Sequence, residues 1–156
     1  MMANLDFSVL DKKWNETLPN FKKVIKKASN HVFDELIQLK NKDYEISFLM
    51  ANNDYIKKLN ANYRSKDSET NVLSFPMMDI NSLKHENILG DIVISLDKIL
   101  SESQDQKINT YKYLSKISIH GILHLLGYDH ISDNDYMVMN QLEEKIIKRL
   151  NDKKFS

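Results

Sequence analysis

The chain has 156 residues, 42% hydrophobic and 28% charged, with 22 basic and 22 acidic side chains and no cysteine. This length fits a single domain, residues 1–156, with a real core, and the absent cysteine excludes disulfides and thiolate metal sites while suiting a reducing cytoplasm. A net charge of zero offers no global attraction to nucleic acid, so any such contact must rest on a local patch. The first residues, MMANLDFSVLDKKWNE, lack the basic start and apolar run of a secretory signal. No stretch approaches the roughly 18 apolar residues that a membrane span needs.

Leu5, Phe7 and Val9 alternate with polar residues and predict a first strand. From Phe21 to Leu39, Phe21, Val24, Ala28, Val32, Leu36 and Leu39 recur at helical spacing, with His31 and Lys22, Lys23, Lys26 and Lys27 on a solvated face. Ile46, Phe48 and Met50 mark a second strand, and Asn52 or Asn53 caps a helix running toward Tyr63. A polar stretch, Arg64 to Thr70, leads into a short strand, Val72 to Phe75, stopped by Pro76; Met77 to Asn87 reads as a loop. Gly90 to Ser95 is a strand rich in β-branched residues. Helices follow over about Leu96–Ser103, Tyr111–Leu126 and Asp133–Leu150, the last with Met139, Leu142, Ile146 and Leu150 on its inner side. With three glycines and two prolines there is no flexible linker. The order β-α-β-α-β-β-α-α-α predicts an α+β fold: one small mixed sheet of about four strands with helices packed on it.

Three of the five histidines fall within one short run, His120-Gly121-Ile122-Leu123-His124-Leu125-Leu126-Gly127-Tyr128-Asp129-His130. His120 and His124 are i and i+4 on a helix, so their rings project from one face. Gly127 stops the helix in the left-handed conformation and returns the chain, bringing His130 toward the same point. Three neutral imidazoles are a catalytic zinc arrangement, one ion with an open fourth position. Bound zinc lowers the pKa of water toward about 7. The spacing is that of the zinc-binding helix of metzincin proteases, but the glutamate base that follows their first histidine is replaced by Gly121. Asp129 and Tyr128 stand close enough in sequence to support the ligands or the substrate.

The run His120 to His130 resembles the H-G-x-L-H-L-x-G-Y-D-H signature of the YbeY family of bacterial endoribonucleases, also described as ribosomal RNA maturation factors. Two further blocks agree: Leu59 to Asp67 continuing in Thr70 to Pro76, and Leu89 to Ser95. Asn140 departs from the family, many of whose members carry an acidic residue there. The resemblance implies a zinc-dependent, single-strand-specific endoribonuclease of the cytoplasm. Its implied role is maturation of the 3′ end of small-subunit 16S rRNA and late ribosome quality control. The implied partners are single-stranded and ribosomal RNA and the small ribosomal subunit or its proteins, with neither DNA nor membrane. His120, His124 and His130 are then the metal ligands, and Arg64 and His124 the catalytic residues. Arg64, one of only two arginines, matches the family's motif arginine, and its guanidinium bridges two phosphoryl oxygens better than lysine does. Lys57, Lys58 and Lys66 offer a local basic track, while His85 is incidental. Two alternatives are a metallopeptidase or amidase with its base elsewhere, and a non-catalytic assembly factor whose zinc is closed by Asp129 or Asp133.

Overall fold

The computed structural model describes residues 3–36, 43–64, 70–76, 88–129 and 131–152. Four strands, β1 (Ala3–Val9), β2 (Tyr44–Ala51), β3 (Val72–Pro76) and β4 (Ile88–Ser95), form one mixed sheet in the order β1-β2-β4-β3. β1 and β4 run parallel to β2, and β3 runs antiparallel to β4 at the edge. Among the described residues the helices are α1 (Lys13–Thr17), α2 (Phe21–Glu35), α3 (Asn53–Arg64), α4 (Leu96–Gln106), α5 (Thr110–Leu125) and α6 (Asp133–Asn151). The architecture is α+β, as expected.

The period of two fixes which residues share a face. Register sets Leu5, Phe7 and Val9 beside Ile46, Phe48 and Met50, which in turn adjoin Gly90, Ile92 and Ile94. Val72 and Ser74 continue this face onto β3, opposite Ile94 and Ile92. α2 and α5 cover it, with α6 packed against those two helices, and the main core of Trp14, Phe21, Phe33, Phe48, Ile92 and Leu114 lies between. The opposite face carries a smaller cluster, Ala51, Leu73 and Val93, with Ile56 of α3. On β1 that face is polar and exposed through Asn4, Asp6 and Ser8, as the alternation requires.

Two helices differ from expectation. The sequence gives no sign of α1, a single short turn whose one buried residue is Trp14. It exists because the Trp14 indole is wholly buried and donates Nε1 to the Ala51 carbonyl at 2.9 Å. α2 stops at Glu35, where Leu36 turns extended, rather than continuing to Leu39; residues 37–42 and 77–87, where a loop was expected and where His85 falls, lie outside the described residues. The capping side chain of α3 is Asn52, whose Oδ1 accepts from Tyr55 N at 2.9 Å. His31 is half-buried and donates Nδ1 to the Lys27 carbonyl at 3.0 Å, so it belongs to the helix surface.

α6 is fastened to α2 by a two-pronged ion pair. The Glu35 carboxylate, 8% exposed, meets Lys145 Nζ at 2.7 Å and Arg149 Nη1 at 2.8 Å. The Lys145 hydrogen bond first, and then Arg149, hold this carboxyl below its ordinary value of 4.5 against the opposing effect of burial. A carboxyl depressed on folding stabilises the protein above its unfolded pKa and loses that contribution as pH falls through the folded value. Glu35→Gln is therefore expected to lower stability at pH 7 by about 1 kcal/mol, a figure reduced because both cationic ends are solvated. The gap between variant and wild type should close as denaturation is repeated at progressively lower pH below 4.5; a gap unchanged in acid would show that packing, not charge, is responsible.

Candidate metal centre and cleft

α5 presents both histidines on its half-buried side, facing the β3 edge. Their rings meet edge to face, centroids 4.6 Å apart, and the two Nε2 atoms stand 3.1 Å from each other. Each opposite nitrogen is engaged by a group that only accepts. His120 Nδ1 donates to Glu143 Oε2 at 3.0 Å, and His124 Nδ1 donates to the Tyr128 carbonyl at 3.0 Å. In a neutral ring whose Nδ1 carries the proton, Nε2 is a bare lone pair. Two ring nitrogens 3.1 Å apart either share a proton or hold a cation between them.

This arrangement fits a metal ion. Two nitrogens bound at about 2.0–2.1 Å to one tetrahedral ion lie about 3.3 Å apart. A histidine that ligates a metal characteristically donates its other N–H to a carboxylate or a carbonyl, and each of these two does so. Among the described residues no group of three histidine, cysteine, aspartate or glutamate side chains converges to hold an ion. The third expected ligand, His130, lies outside them.

Local sequence explains the second contact. Beyond the last turn of α5, Gly127 N donates to the His124 carbonyl and Tyr128 N to the Leu123 carbonyl, a paired closure of the helix end. Gly127 has φ +96°, open to glycine and strained for any other residue. The turn delivers the Tyr128 carbonyl to His124, so Tyr128 supports the pair through its backbone rather than its ring. Asp129 is exposed and lines the cleft beside His124.

Gly121 has a steric role as well as a chemical one. A Cβ there would meet Val72 Cγ2 at 3.2 Å and Ile92 Cγ2 at 3.3 Å. The Ser74 hydroxyl donates to the Gly121 carbonyl at 2.9 Å and ties β3 to α5. The position following His120 therefore faces the packed sheet, where a glutamate does not fit, and the protease-type base has no place to stand.

A cleft of about 550 Å³ opens beside the pair, walled by Val72, Ser74 and Pro76 of β3, His120 and His124 of α5, and Asn71. The edge strand thus lines the cleft. Asn71 is pinned: its carbonyl accepts from Ser95 N at 3.0 Å, and its Nδ2 donates to Glu102 Oε1 at 3.0 Å. The Tyr113 hydroxyl donates to the same carboxylate at 2.6 Å; burial, then Glu102, pushes Tyr113 up to about 12, so it remains a donor.

The sequence reading missed Glu143, which is 8% exposed on α6. The signal was present, because Glu143 interrupts the apolar row Met139, Ile146 and Leu150 at helical spacing, and a charge on a buried row needs a partner. Asn140 lies one position off that row, with Nδ2 at 3.5 Å from Glu144 Oε1. Arg64 is the last residue of α3, which packs on the opposite sheet face from α5; the Arg64 side chain and Lys66 lie outside the described residues. Lys57 and Lys58 are exposed on α3.

Residues 8–151 match the family model described as Endoribonuclease YbeY. Relatives carrying that name include one from Neorickettsia sennetsu, 34% identical over 94% of this chain and 96% of its own length. Others come from Wolbachia, at 37% over 94% and 95%, and Ehrlichia canis, at 38% over 94% and 92%. The solution structure of TM1509 from Thermotoga maritima superposes with a TM-score of 0.60 and 26% identity, covering 96% of this chain and 89% of that one. The chain belongs to the YbeY family of endoribonucleases, hydrolases that act on RNA.

Proposed function

We propose that the protein is a zinc-dependent, single-strand-specific endoribonuclease of the cytoplasm that processes ribosomal RNA. Maturation of the 3′ end of small-subunit 16S rRNA and late quality control of that subunit are the specific roles, with the small subunit or its proteins as partners. The observation that carries the reading is the two Nε2 atoms 3.1 Å apart, each ring fixed from behind by an acceptor, at the wall of an open cleft. Family membership supplies the substrate class, and no described helix is long and apolar enough to cross a membrane.

His120, His124 and His130 are the ligands in this reading. Bound there, zinc supplies a Lewis acid that polarises a phosphoryl oxygen and acidifies water. Glu143 and the Tyr128 carbonyl hold the two imidazoles in the tautomer that leaves Nε2 bare. Arg64 neutralises charge growing on the phosphoryl oxygens, and the β3 edge bounds the strand on one side. Gly121 disfavours the peptidase alternative, since the usual base position is filled by the sheet.

Glu143→Ala is expected to weaken zinc binding by about 10- to 100-fold, the usual loss when a carboxylate behind a ligating histidine is removed. Glu143→Gln, which keeps an acceptor, should fall between. Competition with a chromogenic chelator measures both, and wild-type affinity in the alanine variant would remove Glu143 from the centre. For the function as a whole, zinc-loaded protein should cut single-stranded RNA and spare the same sequence in a duplex. It should also trim precursor small-subunit RNA at its 3′ end within isolated subunits; equal cutting of single strand and duplex would overturn the strand specificity.

A further inference from the structure

A second cavity, about 280 Å³, adjoins the cleft between α5 and α6 and shares Asn71 and His120 with it as common walls. Its floor is apolar, from Ile117 and Met139, both nearly buried. Its rim carries Tyr136, a residue 55% exposed in the first part of α6. At the mouth stands Lys116, exposed on α5, with Lys112 one turn earlier on the same exposed face. The amide of Asn140 completes the wall.

These groups match one nucleotide. A nucleobase has a flat π face that stacks on an aromatic ring and polar edges that hydrogen-bond amides, and its backbone phosphate pairs with lysine. Charge sets the orientation. Glu143 lies in the depth of the cavity, bonded to His120, and its carboxylate disfavours a phosphate there. Asp133 and Asp135 in the first turn of α6 flank Tyr136 and turn phosphates toward the α5 lysines. The base therefore goes inward and the backbone runs along Lys116 and Lys112. Because His120 is a wall of both cavities, a strand whose phosphate lies at the histidine pair places a neighbouring nucleotide here.

We propose that this cavity is a nucleotide subsite for single-stranded RNA, in which Tyr136 stacks the base next to the cleaved phosphate and Lys116 contacts the backbone. The proposal rests on RNA being the substrate, and it gives an overall neutral chain its local basic contact on α5. The test is fluorescence anisotropy of a labelled single-stranded oligouridylate with zinc-loaded protein, recorded in the cold before cleavage is measurable. Tyr136→Ala should weaken binding by about 5- to 100-fold, the range for one stacked base, and Tyr136→Phe should restore it. Lys116→Gln should weaken binding and reduce the slope of log affinity against log salt by about 0.7, one phosphate on a single strand. In wild type, a photoreactive thiouridine strand should crosslink to Tyr136. Wild-type binding left unchanged by Tyr136→Ala and Lys116→Gln overturns the subsite alone. Equal loss in Tyr136→Ala and Tyr136→Phe overturns stacking, and no RNA binding by wild type overturns the RNA reading together with the subsite.

Discussion

A His124→Ala variant is expected to purify folded but without stoichiometric zinc, and to lose more than about 100-fold in RNA cleavage. Loss of a group behind a metal ligand already costs about 10- to 100-fold in affinity or activity, and removing a ligand exceeds that. The fold should survive, because His124 is only half-buried on α5 while Leu123 and Leu125 on either side of it hold the helix in the core. The closure at Gly127 uses the His124 backbone, which alanine keeps. Circular dichroism and elemental analysis on the same preparation separate the two effects. Stoichiometric zinc in the variant would exclude His124 from the ligand set.

Arg64→Ala should show the opposite division: zinc retained, rate lost. Removing one preorganised donor from a charge-developing transition state costs about 10²–10³ in kcat. A guanidinium is a planar fork that spans two phosphoryl oxygens, whereas an ammonium is a point charge. Arg64→Lys should therefore recover only part of the rate, with KM moving less than kcat. Loss of zinc from Arg64→Ala would contradict this division, since it would make the arginine part of what holds the centre together.

Much of the site was legible because its signal is local. The i, i+4 spacing of His120 and His124 converts directly into two rings on one helix face, and Gly127 into a chain reversal. Strand alternation was equally local: Leu5, Phe7 and Val9 lie on the inner face and Asn4, Asp6 and Ser8 outside. What was hidden depends on contacts distant in sequence. α1 forms around Trp14, whose hydrogen bond reaches Ala51 across 37 positions, and a five-residue helix has too few turns to show periodicity. Strand order is also non-local, so the parallel joining of β1 and β4 to β2 could not be read from their sequences.

Glu143 and Gly121 are instructive between these extremes. Glu143 sits on a row that the sequence marks as inward, yet its purpose appears only when α6 crosses α5 and brings Oε2 to His120 Nδ1. Gly121 was read as a missing base. In the fold it is also a point of close approach between α5 and the sheet, beside Val72, Ile92 and the Ser74 hydroxyl. One residue thus permits the helix to lie close to the edge strand, which brings the cleft wall to the histidines.

Cleavage of a single-stranded RNA by zinc-loaded wild type, beside His124→Ala purified identically, tests the metal-dependent nuclease most directly. Cutting by the wild type alone, abolished by a chelator and restored by zinc, is the predicted result. Equal cutting by both proteins would contradict it and assign the activity to something other than the histidine centre.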